Sequence, residues 1–208
     1  MGFYSRYLFP RLMDWGMRSD RFRRERDKTL RDIGGRVLEV GFGSGLNLPH
    51  YPETVDGLVT VDVNPGMKHL ARRRLQETPL AVEHHIMSGE DLPMEDESFD
   101  CAVSTWTLCS IPDVSSALEE VLRVLKPGGT FVFVEHGLSP DPKVARWQQR
   151  LTPLQRIVGD GCHLDRDIQG LLVSAGFEIE DIQRYYFEGA PRIMGYFYRG
   201  RAIKPEEA

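Results

Sequence analysis

Three glycines at alternate positions, Gly41, Gly43 and Gly45, follow the apolar run 36–40, with an acid, Glu39, just ahead of them. Glycines so spaced let a chain leave a strand sharply and bring its backbone close to a ligand. A dinucleotide fingerprint would need glycine or alanine at position 46, where the chain has Leu46. Prolines at 49 and 52 leave no free helix start for a pyrophosphate, so the turn suits an uncharged or zwitterionic ligand better. Asp62 ends the next apolar run. A carboxylate there accepts from both hydroxyls of a ribose, or forms a turn before Asn64-Pro65. The stretch SGEDLP at 88–93 offers Gly89, Glu90 and Asp91 to an adenine edge, or simply makes a turn.

A second constellation lies late in the chain. GDGCHLDRD at 159–167 places Asp160, Cys162 and His163 together, open in principle to nucleophilic, metal-binding, pocket-lining or turn-forming roles. No Cys-x-x-Cys or paired-histidine spacing exists and His84-His85 stand alone, so no metal is expected. Cys101, inside an apolar run, reads as core. Cys109 either faces a pocket or fills a small buried space. His136 closes the run 130–135 at a strand's C-terminal end, where open α/β sheets bind ligands. It is the candidate base or acceptor-orienting group, with a packed histidine as the alternative. Asp165 has the position of an N-cap for the following helix.

The elements that must hold these residues alternate. Runs at 36–40, 58–63, 99–105 and 130–135 are strand candidates, while 66–78 and 113–125 have helical spacing, the latter stopped by KPGG at 126–129. Alternation of this kind predicts an α/β fold with a mostly parallel sheet and helices on both faces. Two strands flanking Gly189 and Pro191 would close it as an antiparallel hairpin. The segment WQQRLTPLQRIV is expected as two short helices split by Pro153. We expect one domain over 1–208: a helical lead at 1–34, a core at 35–136, an insertion at 137–164 and a last helix and hairpin at 165–208. Insertions this long over a sheet are usually functional.

Composition narrows the partners. A chain of 208 residues with 41% hydrophobic content suits a single globular domain. It lacks the apolar run of a membrane span and the pattern of a signal peptide. Three cysteines, an odd number without framework spacing, point to free thiols and a cytoplasmic address. Net charge is -5, yet residues 1–36 alone carry ten basic and five acidic side chains. The acidic remainder argues against nucleic acid. The basic, aromatic lead either packs on the domain as a solvated helix or touches a membrane surface peripherally.

The motifs VLEVGFGSG, VDVNPGM, SGEDLP, FDCAVSTWTLCSIPD and LRVLKPGGTFVFVEH, in this order, resemble those of the class I S-adenosylmethionine-dependent methyltransferases. The resemblance implies a Rossmann-like seven-stranded sheet and S-adenosylmethionine as cofactor. It further implies that Glu39, Gly41, Gly43 and Gly45 line the methionine part and that Asp62 holds the ribose. By the same carry-over Asn64 and Met67 lie near the adenosine, with Gly89, Glu90 and Asp91 along the adenine. Ser104, Thr105 and Trp106 would sit beside the sulfonium. WTLCSIPD, VFVEHG, WQQ, DGCHLDRD and YFYRG are similar to the alkyl thiol S-methyltransferases of animals and their bacterial relatives, with phospholipid and quinone methyltransferases nearby.

Methyl transfer from a sulfonium is an in-line displacement, so placement of the acceptor's lone pair dominates. The expected acceptor is small and fairly apolar, a thiol first, with a phospholipid amine or quinone-type oxygen or carbon as rivals. Tyr7 in the aromatic lead, Cys109, Asp160, Cys162 and His163 are the expected acceptor-side residues, with His136 as catalytic group. Readings from other classes are a nicotinamide-dependent oxidoreductase, which Leu46 disfavours, and a cofactor-binding protein without chemistry.

Overall fold

The computed structural model describes residues 2–206. Seven strands form one sheet: β1 (Gly35–Val40), β2 (Val55–Val61), β3 (Val82–His85), β4 (Phe99–Thr105), β5 (Leu125–His136), β6 (Glu178–Tyr186) and β7 (Tyr196–Ile203). Their order is β3-β2-β1-β4-β5-β7-β6. The first five are parallel, and β7 runs antiparallel between β5 and β6. The expected α/β fold with its C-terminal antiparallel hairpin is thus present. The chain leaves β1 towards β2 and later re-enters the sheet on β1's other side as β4. Strand order reverses there, opening a crevice beyond the C-terminal ends of β1 and β4.

The helices are α1 (Phe9–Gly16), α2 (Asp20–Leu30), α3 (Pro65–Glu77), α4 (Val114–Val124), α5 (Pro142–Val158) and α6 (Ile168–Ser174). Two cores flank the sheet. One packs α4 and α6 under Leu38, Phe131 and Phe133; the other packs Leu30 and Ala71 against Val37, Leu58 and Val103. In α4 the fully buried Leu118, Val121 and Val124 form the core-facing stripe.

Four local features add to or differ from the expectations. The short strand β3 lacks an apolar signal, because VEHH keeps only partial burial at the sheet's edge. α4 ends at Val124, just before KPGG as expected, but the strand starts earlier than 130: β5 begins at Leu125, opposite Phe99, and the four residues bulge before pairing resumes at Thr130 opposite Cys101. Pro153 does not split α5, which runs unbroken for 17 residues. Its missing N–H frees only the carbonyl of Gln149, an exposed residue that water can serve. Asp165 is not the cap of α6; Asp167 holds that position, and Asp165 accepts from the Thr152 hydroxyl at 3.0 Å.

The lead is also inverted relative to simple packing. In α1 the buried residues are Pro10 and Asp14, while Leu12 and Trp15 face outward, Trp15 at 80% exposure. Asp14 accepts from Ser44 at 2.7 Å and pairs with Arg74 at 2.9 Å, pinning α1 to the glycine turn. Trp147, Leu154, Ile157 and Val158 of α5 are exposed as well, and Tyr4 donates to the Val158 carbonyl at 2.6 Å. No helix is long and apolar enough among the described residues to cross a membrane.

Candidate active site

Strand register builds the first half of the site. Val40 pairs with Val61 on one side and Ser104 on the other, so the next residues, Gly41, Asp62 and Thr105, stand in a row along the crevice. Gly41 has φ +83°, and a Cβ there would fall 1.9 Å from the Thr107 hydroxyl. At Gly43, φ is +57° and a Cβ would meet no atom within 4 Å, so its bare face looks onto open space. The Asp62 carboxylate accepts from Gly43 N–H and Asn64 N–H, both at 2.7 Å. Burial raises its pKa against those two bonds. Each oxygen keeps a lone pair for a further donor, so the turn-forming bonds leave the carboxylate able to accept from a ligand.

Beneath this row lies a buried polar network. Glu39 accepts from Asn47 at 2.7 Å and from the Tyr51 hydroxyl at 2.8 Å. Burial pushes its pKa up to about 8, opposed by Tyr51, Asn47 and the charge of Arg26. Asn47 also donates to the Thr105 hydroxyl and accepts from Arg26 Nε, each at 3.0 Å. Arg26 is 3% exposed, and burial draws its pKa down to about 10 against the pull of Glu39. Its guanidinium lies 4.9 Å over the Trp106 ring.

Trp106 follows β4 in a left-handed conformation, φ +52°, which a bulky side chain adopts only when its surroundings hold it. Phe22 meets it edge-on at 5.1 Å, and its buried Nε1 has no partner. A buried donor at a strand end can serve an acceptor on a bound molecule.

The second half centres on Glu135, wholly buried at the end of β5. One carboxylate oxygen accepts from Ser104 Oγ at 2.8 Å and from the N–H groups of Thr107 and Leu108 at 2.9 and 3.1 Å. The other is buried without a partner. Burial and, next, negative charge on the Cys109 sulfur raise the pKa to about 8 against those three bonds. The loop so held carries Cys109 to His136 and Cys162, and the ligand atoms of the three lie within 4.8 Å of one another. His136 Nε2 stands 3.0 Å from Cys162 Sγ. A hydrogen bond from Cys162 holds the Cys109 thiol well below its usual range, against burial and with help from His136. Burial disfavours charge on His136, and the Cys109 sulfur outweighs it, raising the pKa.

Arg166 straps this loop through the Leu108 and Ile111 carbonyls, and His163 N–H donates to the Cys109 carbonyl at 2.8 Å. The lead roofs the crevice at one residue. Ser5 donates to Asp160 at 2.6 Å, and its carbonyl accepts from Asn64 at 2.8 Å.

The structure therefore gathers Glu39, the glycines, Asp62, Thr105 and Trp106 along one row, and Cys109, His136, Cys162 and His163 beside it. Others serve differently. Ser104 is fully buried with its hydroxyl on Glu135. Asn64 caps α3, accepting from Gly66 N–H, with Met67 in its first turn. Gly89 packs flat on β1, where a Cβ would press Val40 at 2.9 Å. Glu90 accepts from Asp113 N–H and Ser88, and Asp91 is exposed. Tyr7 lines a cleft of about 280 Å³ with Arg6, Pro10, Pro65 and His69, and shares none of its residues with the row. Sequence reasoning missed Arg26, Asn47, Tyr51, Glu135, Arg166 and Ser5. Only Glu135 carries a local signal, an acid within an apolar strand end, as at Glu39.

A family described as a methyltransferase domain matches residues 38–133. The thiol S-methyltransferase TMT1B of Rattus norvegicus is 37% identical over 193 residues, covering 88% of this chain and 78% of its own. The phosphatidylethanolamine N-methyltransferase of Cereibacter sphaeroides is 30% identical over 148 residues, covering 70% and 71%. Among solved structures, an S-adenosylmethionine-dependent methyltransferase from Methanosarcina mazei superposes with a TM-score of 0.63 at 24% identity, over 83% of this chain and 93% of that one.

Proposed function

The chain belongs to the class I S-adenosylmethionine-dependent methyltransferases, and from that premise we propose that its acceptor is a small, fairly apolar thiol. Its cofactor is S-adenosylmethionine, and the crevice fits that molecule. The bare face of Gly43 leaves room where a side chain would intrude, and Trp106 Nε1 is a buried donor without a partner. Asp62 would take the ribose hydroxyls and Arg26 the carboxylate of the methionine part. Bound there, the cofactor supplies a methyl group on a sulfonium.

The rest is the work of the chain's own residues. Glu135 fixes the loop after β4, so Cys109 is held against His136 and Cys162 rather than left to sample positions. His136, raised in pKa beside sulfur, would attract an anionic acceptor or take its proton. Trp106, Phe22 and the lead exclude water from the row. The observation that carries the thiol reading is the soft, ionisable cluster of Cys109, His136 and Cys162 at the strand ends, next to the row proposed for the cofactor. An amine or enolate acceptor has no evident use for it.

The exposed Phe3, Leu12 and Trp15 of the lead, with Ile157 of α5, support peripheral contact with a lipid surface from which apolar acceptors would enter. Methyl-labelled cofactor with a panel of alkyl thiols, phosphatidylethanolamine and a demethylquinone tests the acceptor. Label is expected in the thioethers first. Label confined to lipid amine or quinone would sink the thiol assignment.

A further inference from the structure

Cys109, His136 and Cys162 come from three separate places, the loop after β4, the last residue of β5 and the turn after α5. Their three potential ligand atoms nonetheless converge within 4.8 Å. A tetrahedral zinc site with bonds of about 2.3 Å to sulfur and about 2.0 Å to nitrogen separates its ligand atoms by about 3.5–3.8 Å. The cluster brackets that spacing, with His136 Nε2 3.0 Å from Cys162 Sγ and every pair within 4.8 Å, so side-chain movements of well under an ångström to about one ångström would admit an ion. Both cysteines are buried, whereas His136 keeps an open side. With its proton on the buried Nδ1, the neutral ring turns the Nε2 lone pair towards the sulfurs.

We propose that Cys109, Cys162 and His136 bind one zinc ion as a three-ligand site whose fourth position receives the acceptor thiol. Two cysteines and one histidine are a donor set for soft or borderline divalent ions rather than magnesium or calcium. Three protein ligands with an open fourth place mark a catalytic rather than a structural zinc site. Binding displaces the two cysteine protons to solvent, and the two thiolates neutralise the dication. No oxidant or reductant is involved. The acceptor's role rests on the thiol reading above. With zinc bound, His136 serves as a ligand in place of the base role given above: an incoming thiol loses its proton to solvent as it occupies the fourth position, and its sulfur lone pair then forms the new carbon–sulfur bond while the methyl–sulfonium bond breaks. Zinc stabilises the thiolate, which is the nucleophilic form, at neutral pH.

Loop anchoring supports a preformed site. Glu135 and Arg166 fix the Cys109 loop from below and from the side, and His163 N–H ties the Cys162 turn to the Cys109 carbonyl. The spacing along the chain hides the site, since no two of the three ligands lie on one turn or helix.

The test is the metal content of the full chain purified under reducing conditions, followed by titration of chelator-stripped protein with zinc and with cobalt. About one zinc per chain is expected, and cobalt should give a thiolate charge-transfer band with tetrahedral visible absorption. Cys109→Ser and Cys162→Ser should each weaken zinc binding by at least about tenfold, and His136→Ala should weaken it too. Cys101→Ala, which leaves the cluster intact, should keep full stoichiometry, and thermal melts of every variant confirm folding. Stripped, reduced and folded protein that takes up no zinc and gives no cobalt band overturns the site. So does unchanged affinity in both folded serine variants. Zinc binding with no methylation of any thiol leaves the site standing and removes only the acceptor reading. Thiol methylation at equal rates with and without zinc removes the fourth-position role.

Discussion

The ends of β1 and β2 and the ends of β4 and β5 are built on the same device, a buried glutamate near the end of a central strand, and finished differently. Glu39 has both oxygens engaged, by Asn47 and Tyr51. Glu135 gathers three donors on one oxygen and leaves the other bare. The buried Nδ1 of His136 and Nε1 of Trp106 are bare too. A satisfied network rigidifies, whereas unpaired buried groups are the high-energy places where a ligand gains most. The first glutamate is satisfied within the protein on both oxygens, whereas the second leaves acceptor and donor atoms free to serve a ligand.

The largest effect that would break this contrast is expected at Asp62. In Asp62→Asn an amide donor faces the N–H of Gly43 or Asn64, so affinity for S-adenosylhomocysteine should fall about ten- to a hundredfold by calorimetry. Unchanged affinity would remove Asp62 from the cofactor socket. Next, Trp106→Phe keeps an aromatic side chain and deletes the bare donor. It should weaken the same ligand about five- to tenfold by calorimetry, while the melting temperature of the free protein falls by no more than a few degrees, because Phe is smaller and a weaker partner for the Arg26 guanidinium.

Titration sharpens the comparison further. Glu39 and Glu135 both have pKa values raised to about 8 from 4.5. Each therefore holds its proton more firmly folded than unfolded, and each lowers stability as pH rises from 4.5 to about 8, with no further loss above. Glu39→Gln and Glu135→Gln should both flatten that slope in thermal melts. Glu135→Gln should cost less at pH 8, because its amide nitrogen can take the place of the unpaired oxygen while the carbonyl keeps the three donors. In Glu39→Gln the amide displaces one of two satisfied acceptors. A steeper slope in either variant would contradict the burial argument.

The smallest effect on folding is expected at Trp15. Trp15→Ser, at 80% exposure, should change stability by less than about 0.5 kcal/mol but lower flotation with anionic phospholipid vesicles. Equal flotation would show that the lead does not face lipid.

Legibility in the sequence followed locality. The glycine turn, Asp62 and the strand ends sit in contiguous motifs, because a turn's conformation is written in neighbouring residues. KPGG stops α4 as expected, with β5 beginning ahead of it and bulging through it, whereas Pro153 misled because an exposed helix face absorbed it. Arg26 was invisible inside a charge run, which usually marks a solvated face. Only packing of α2 under Trp106 buries it.

The sequence by itself determined the alternation of elements, the hairpin ending, the methyltransferase motif order and the cofactor, since each depends on periodicity or on short contiguous motifs. Tertiary structure alone decided that GDGCHLDRD brings Cys162 to Cys109 and His136, that Ser5 roofs the crevice by holding Asp160 and Asn64, and that Glu135 anchors the intervening loop. Those contacts join residues that no local spacing relates. They exist because parallel register aligns the ends of β4 and β5 and α5 folds back across them.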